Sequence, residues 1–490
     1  MASLDAIQHL RPQLLWQRFY EISQIPRPSK KEERITAHFE QLFRQLGLNY
    51  TKDKVGNLVA RVPATKGHGK APTVVLQGHS DMVCEKNRGT RHDFDHDPIH
   101  LLRDGEWVRA DGTTLGADNG IGVAAALAIL SDPAAVHGPL EILITIDEET
   151  GLTGANQISS KLLKGKYLLN LDSEEDGIFY IGCAGGVDTT GTFRAQTMPA
   201  PTGDVQAFAL RVSGLKGGHS GGDIHLGRAN AIKLLARTLQ ALQPLAPALT
   251  DLQGGSKRNA IPREAEVTLV LNKTAVEKAQ TIVAQAERAF QNEFKTNDGG
   301  VRLTLEPASL PQTVYTKPLT KKLVNTLLAL PHGVIQMSAD IEGLVETSTN
   351  LATVVSDARA ITIGTNQRSS VDSAKRYIAG SVAAGFSLAG AKVVQSDGYP
   401  GWQPNMESRL LQICRRVATQ MDGREPEIKA IHAGLECGIL GGKYPGLDMI
   451  SFGPTITGAH SPDERVHIPA VEKFYDLLKA VLRALAEEKA

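Results

Sequence analysis

The sequence predicts an α/β protein in which a domain built on a mainly parallel sheet is interrupted by an α+β domain. Three observations lead there. Short apolar runs at residues 73–76, 140–146 and 167–171 read as buried strands, and a helical stretch separates the first two. From about residue 187 the apolar residues alternate instead, as in strands with one solvated face. And 490 residues are too many for one ordinary core.

Along the chain, residues 13–48 carry apolar positions at helical spacing, among them Trp16, Phe19, Ile22, Ile35, Phe39 and Phe43, until Gly47 stops the pattern. Residues 120–130 form the helix between the first two buried strands. In the insert, strands are expected at 207–212 and 265–271 and helices at 229–242 and 275–294. A strand–helix–strand pattern follows at 351–363, 372–388 and 392–395. The turn cluster Asp397-Gly-Tyr-Pro-Gly marks a boundary. Beyond it, a helix at 407–420, a strand at 447–452 and a helix at 471–485 complete the first domain. The expected division is therefore 1–186 and 398–490 for the interrupted domain and 187–397 for the insert.

Composition removes several classes of function. Lys+Arg and Asp+Glu both number 53, so the formal net charge is zero and neither nucleic acid nor an anionic membrane is an expected partner. The longest apolar run, 121–130, is about half the roughly 20 residues that span a bilayer. The first ten residues lack the basic start and apolar run of a secretory signal. Cys84, Cys183, Cys414 and Cys437 lie far apart without CxxC pairing, which fits reduced thiols in a cytosol.

The polar residues fall in a pattern. The strand at 73–76 runs into His79-Ser-Asp81, that at 140–146 into Asp147-Glu148-Glu149, that at 167–171 into Asp172, and that at 447–452 into the loop ending at His460. Open α/β sheets bind ligands beyond the carboxyl ends of their strands. Singly, each residue has a plain reading: His79 and His460 as loop histidines, Asp118 as a helix N-cap, Glu148 and Glu149 as solvated charges, Asp81 and Asp172 as turn residues. Jointly, four metal-friendly endings at one sheet edge point to a metal centre. In extended chain, positions i and i+2 face the same side, so Asp81 can support the ring nitrogen of His79 turned away from a metal. Adjacent Glu148 and Glu149 would then face opposite ways, one to bind metal and one to take a proton.

His79-Ser-Asp81, Leu115-Gly-Ala-Asp118-Asn-Gly, Asp147-Glu148-Glu149-Thr-Gly, Asp172, Gly217-Gly-His219-Ser-Gly and Ala459-His460 together resemble the motif series of the M20 metallopeptidases. Gly-Cys-Ala-Gly-Gly at 182–186 and His432-Ala-Gly-Leu-Glu-Cys-Gly-Ile resemble its Xaa-His dipeptidase branch. The resemblance runs in order through nearly the whole chain. It implies a dinuclear-metal dipeptidase, a cytoplasmic homodimer, with Asp118 bridging two divalent ions. His79 and Asp172 complete one site, Glu149 and His460 the other. Zinc suits these ligands; cobalt and manganese also fit. Glu148 is the implied general base and Asp81 the carboxylate behind His79. A cis peptide is implied between Asp118 and Asn119. Three carboxylates against two dications leave one net positive charge, enough to hold a hydroxide or an oxyanion.

The resemblance makes the insert a lid and dimerisation domain. It gives His219 the role of oxyanion donor, in its own or its partner's site, and Arg368 that of clamp for the substrate's carboxylate. Asn259, in Arg-Asn-Ala-Ile-Pro, would touch substrate. Glu436 would take the substrate's amino group or serve structurally. An aminoacylase or tripeptidase could share the same metal motifs. A nucleotide-binding reading of the Gly-rich loop at 214–222 lacks GxxxxGK[ST]. A silent metal-binding module would have no need of Glu148.

Overall fold

The computed structural model describes residues 2–488. These divide into two compact units. The first comprises the chain up to Gly182, Pro404–Ala430 and the chain from Leu435; the second comprises Cys183–Gln403 and Ile431–Gly434. The return of four residues, 431–434, to the second unit is a feature that no composition shift announces.

The first unit is built on an eight-stranded sheet. Its order is Asn49–Lys52, Leu58–Val62, Leu140–Thr145, Val74–His79, Tyr167–Asn170, Asp448–Ser451, Ile178–Cys183 and Glu427–Ile431. The four central strands, from Leu140–Thr145 to Asp448–Ser451, run parallel. The strands outside them include antiparallel pairings on both sides. All six residues of Val74–His79 and of Leu140–Thr145 are buried, as their mainly apolar runs lead one to expect of a sheet covered on both faces. The carboxyl ends of these two strands and of Tyr167–Asn170 deliver His79, Asp147 and Asp172 to one edge.

Two helices replace the single helical region expected over 13–48. They are Gln13–Ser23, burying Leu15, Trp16, Phe19 and Ile22, and Glu33–Gln45, burying Ile35, Phe39, Leu42 and Phe43. Pro26 and Pro28 explain the break, since proline lacks the amide hydrogen and disfavours helix before it. The intervening loop carries Arg27 and Ser29, which reach the site described below. Helix Ala117–Ile129 is apolar on every side and almost wholly buried. Its first residues, Asp118 and Asn119, have non-helical dihedrals, so regular helix begins at Gly120. At Gly122 the helix lies against the sheet edge: an added Cβ would stand 2.1 Å from the Leu171 carbonyl oxygen.

The second unit is a nine-stranded sheet whose pairings are all antiparallel. Val205–Ser213 and Ala265–Asn272 pair along their length and alternate in burial as their sequence predicts. Helices Ala231–Leu242, Val276–Glu293, Lys317–Ala329 and Asp372–Leu388 share a core with the sheet that includes Leu210, Leu235, Leu269, Leu327 and Phe386. The single strand expected over 351–363 is two, Val345–Ser356 and Ala360–Ser369. Asp357 makes the turn: its Oδ1 accepts from the amides of Arg359 at 2.6 Å and Ala360 at 2.9 Å.

Two glycine substitutions separate close approach from mere flexibility. Gly122→Ala should lower stability by about 1–3 kcal/mol through overpacking against Leu171. Gly380→Ala, in the middle of helix Asp372–Leu388 with nothing within 4 Å of the new Cβ, should raise it by about 0.5–1 kcal/mol. Thermal and urea melts of the two variants check both signs.

Candidate active site

Asp118 is the centre of the cluster in the first unit. Its Oδ1 lies 3.0 Å from His79 Nε2 and its Oδ2 lies 3.0 Å from His460 Nε2. His79 Nε2 is also 3.4 Å from Asp172, and His460 Nε2 is 3.0 Å from Glu149. Each half of one carboxylate thus faces a histidine that already has a second carboxylate. Two groups, His79 with Asp118 and Asp172, and Asp118 with Glu149 and His460, place ligand atoms close enough to hold one cation each. A third grouping, His79 with Glu148 and Glu149, satisfies the same spacing. The first two leave out only Glu148 and set one oxygen of Asp118 beside each histidine.

The donor set suits a divalent cation. Oxygen atoms of Glu149 and Asp172 are buried without a hydrogen-bond partner. Burial alone would lower the pKa of His79, yet the carboxylates of Asp172, Asp118 and Asp81 raise it well above the usual imidazole range. His460 is pushed up to about 11 by its hydrogen bonds to Asp118 and Glu149. Burial pushes Asp172 up to about 6. The upward shifts of both histidines mark an acidic cluster that calls for positive charge.

The neighbouring loops fix these groups. Glu464 accepts from four successive amides: Leu115 at 2.7 Å, Gly116 at 2.9 Å, Ala117 at 2.8 Å and Asp118 at 3.3 Å. It sits in the loop that carries His460, between strands Ile456–Thr457 and Arg465–His467. The buried Arg27 guanidinium donates to the carbonyls of Ser80, Asp81 and Gly116. The peptide bond between Asp118 and Asn119 is cis. Asn119 Nδ2 donates to the Leu171 carbonyl at 2.7 Å, and its Oδ1 accepts from the His79 amide at 3.3 Å.

Asp81 does more than stand behind His79. Its Oδ1 is 3.3 Å from His79 Nδ1 and accepts from the Glu148 amide at 3.0 Å; its Oδ2 accepts from Ser29 Oγ at 2.7 Å and the Glu149 amide at 3.2 Å. Burial works against its ionisation, but bonds from His79 and Ser29 bring its pKa down to about 2. Glu148 and Glu149 do not lie in extended chain as their adjacency suggested. They begin a helical turn, Glu148–Gly151, after Asp147 in the left-handed region. The Asp147 carboxylate accepts from the hydroxyls of Thr150 and Thr153, and its amide donates to Glu32 at 2.8 Å. Burial first, then the charges of Asp172, Glu436 and Glu149, raise the pKa of Glu148 well above the carboxylate range; His79 opposes them.

Below the ligands, Glu436 accepts from Gln77 Nε2 at 2.6 Å and Thr145 Oγ1 at 2.7 Å, with its other oxygen unpaired. Burial raises its pKa to about 7. Gln77 continues the chain of contacts to Asn170, and Asn170 to Ser451.

The second unit brings His219, Asn259 and Arg368 together. His219 Nδ1 accepts from the amides of Gly221 at 3.2 Å and Gly222 at 3.0 Å. Burial and then Arg368 lower its pKa. A neutral ring that accepts at Nδ1 carries its proton on Nε2, so Nε2 is a donor. The Asn259 carbonyl accepts from the Ser220 amide at 2.8 Å, and its side chain is exposed. Arg368 Nε donates to Ser220 Oγ at 3.3 Å and Nη1 to Tyr399 Oη at 2.9 Å. Arg27, Ser29, Glu464 and Tyr399 are the participants that the motif pattern does not name. Glu464, four residues beyond His460, gave the one local signal.

The peptidase family M20/M25/M40 matches residues 75–484. The chain is 42% identical over 483 residues to the cytosol non-specific dipeptidase of Escherichia coli, covering 98% of this chain and 99% of that one. It resembles the crystal structure of the aminoacylhistidine dipeptidase from Vibrio alginolyticus with a TM-score of 0.92 and 42% identity, over 99% of both chains. A tripeptidase of Staphylococcus aureus shares the fold at a TM-score of 0.56 and 16% identity, over 98% of this chain and all of that one. With the ordered motifs and the paired histidine–carboxylate groups around Asp118, these likenesses make the chain a member of the M20 peptidase family.

Proposed function

We propose that the chain is a metallo-dipeptidase. It cuts the peptide bond of small dipeptides, Xaa-His and others alike, using two divalent cations, zinc first among them, in the cytosol. The supporting observation is Asp118, each of whose oxygens stands 3.0 Å from a different histidine. His79, Asp118 and Asp172 would hold one cation; Asp118, Glu149 and His460 would hold the other. Bound there, the cations would acidify water and polarise the scissile carbonyl.

The chain's own groups divide the remaining work. Glu148, whose burial raises its proton affinity, takes a proton from the attacking water and delivers it to the amide nitrogen as the C–N bond breaks. One water is consumed and two amino acids leave. Asp81 keeps the His79 ring and the Glu148–Glu149 turn in place. His219 Nε2–H donates to the carbonyl oxygen as it gains charge. Arg368 takes the substrate's carboxylate, with Asn259 beside it. Glu436 is only 1% exposed, which favours its supporting role over capture of the amino group.

Metal-stripped protein assayed on a panel of Xaa-His, β-Ala-His, N-acetyl amino acids and tripeptides should regain activity with zinc, cobalt or manganese, and on free dipeptides only. Cleavage of the N-acyl compounds or tripeptides instead would move it to another branch of the family. Glu148→Gln should bind metal and show the same metal-dependent rise in Tm as the wild type, while kcat falls by at least about 10²–10³-fold. Retained turnover would remove Glu148 from the mechanism. The proposal also includes a homodimer formed through the insert as a lid domain; sedimentation showing a fully active monomer would count against that.

A further inference from the structure

Arg368 is 5% exposed, yet no Asp or Glu among the described residues pairs with it. Its hydrogen-bond partners are two neutral hydroxyl oxygens, those of Ser220 and Tyr399. A buried cation with only neutral acceptors is costly until an anion joins it. The Ser220 hydroxyl has an acceptor of its own, Asn366 Oδ1 at 3.4 Å. Asn366 in turn donates to Asp188 at 2.8 Å.

Tyr399 is different. Its hydroxyl accepts from Arg368 Nη1 and donates to no group among the described residues. A phenol has one proton to give. Burial raises its pKa above the usual value, against the pull of Arg368, so the proton stays on the oxygen. The uncommitted donors of the cluster are thus the rest of the guanidinium and this O–H, held side by side by their mutual bond.

The ring is seated firmly. The Tyr399 amide donates to the Gly186 carbonyl at 2.9 Å, and the Gly186 amide donates back at 3.1 Å. Lys375 Nζ donates to the Tyr399 carbonyl. A Cβ at Gly186 would stand 2.8 Å from the ring and its hydroxyl oxygen, and one at Gly434 would stand 3.0 Å from the ring. Two glycines therefore leave the space that the ring fills. Fixed donors of this kind bind without first losing conformational freedom.

We propose that Tyr399 is a substrate-binding residue that sets specificity for a free C-terminal carboxylate: its O–H donates to the anion that Arg368 takes. The inference rests on the assignment of Arg368 to that carboxylate. An amide or a continuing chain would offer the pair one acceptor instead of two and no charge, and would leave a buried donor unpaired.

The test compares a dipeptide with its C-terminal amide, the latter read as a competitive inhibitor. Tyr399→Phe should raise KM for the dipeptide about tenfold, leave kcat within about twofold and leave Ki of the amide unchanged. Adding the same change to Arg368→Gln should weaken dipeptide binding further. Equal losses for dipeptide and amide, a loss in kcat alone, or no further effect in the Arg368→Gln background would overturn the proposal. The last would reduce Tyr399 to a prop for the guanidinium. If the wild type binds dipeptide and amide alike, the reading of Arg368 fails and this one with it. If Arg368→Gln abolishes the discrimination while Tyr399→Phe keeps it, only the role of Tyr399 falls.

Discussion

The first unit depends on keeping five carboxylates, those of Asp81, Asp118, Glu148, Glu149 and Asp172, within one small volume at the edge of a sheet. Like charges at such range repel strongly and lose hydration besides. What offsets this is an array of fixed donors. Asp81 is held by two backbone amides and Ser29, and Asp118 by two histidines. Glu464 adds a sixth buried carboxylate, but one consumed by four backbone amides, so it organises the loop before Asp118 and competes for no cation. Arg27 ties the same loop to the chain after His79, and its guanidinium is the permanent cation near the cluster.

A second polar layer lies one step down the strands. Thr145, Gln77, Asn170 and Ser451 come from the four parallel strands, and their side chains link across them, with Glu436 joined at one end and Ser173 at the other. These groups are buried and hydrogen-bonded, the condition under which polar side chains stiffen a core instead of weakening it. The strand ends above them carry His79, Asp172 and the Asp147 turn. Positioning therefore begins in the sheet, which carries His79 itself and leads into Asp172 and the Glu148–Gly151 turn, while His460 comes from a loop at 55% side-chain exposure.

The second unit solves the opposite electrostatic problem. Its polar cluster is built around a cation, Arg368, and neutral donors: His219 through Nε2 and Tyr399 through its hydroxyl. His432, bonded to Ser348 at 2.7 Å and pushed down to about 3 first by burial and then by Arg368, stays neutral as well. The chemistry of one cluster calls for cations and that of the other for an anion.

The sequence by itself determined the parallel core and the acidic and histidine-rich character of the cluster at its edge. It could do so because strands buried on both faces are mainly apolar, and because a polar residue directly after such a strand has one edge to go to. The ordered motifs then fixed the family. Tertiary structure alone decided how the cluster is held. Arg27 lies in a loop read as helix until Pro26 and Pro28 break it. Glu464 serves amides 346 to 349 positions away in sequence. Tyr399 looked like part of a turn, and its partner Arg368 lies 31 residues before it. Local periodicity records which face of an element is buried; it carries nothing about which distant backbone a side chain will meet, because that depends on how whole elements pack.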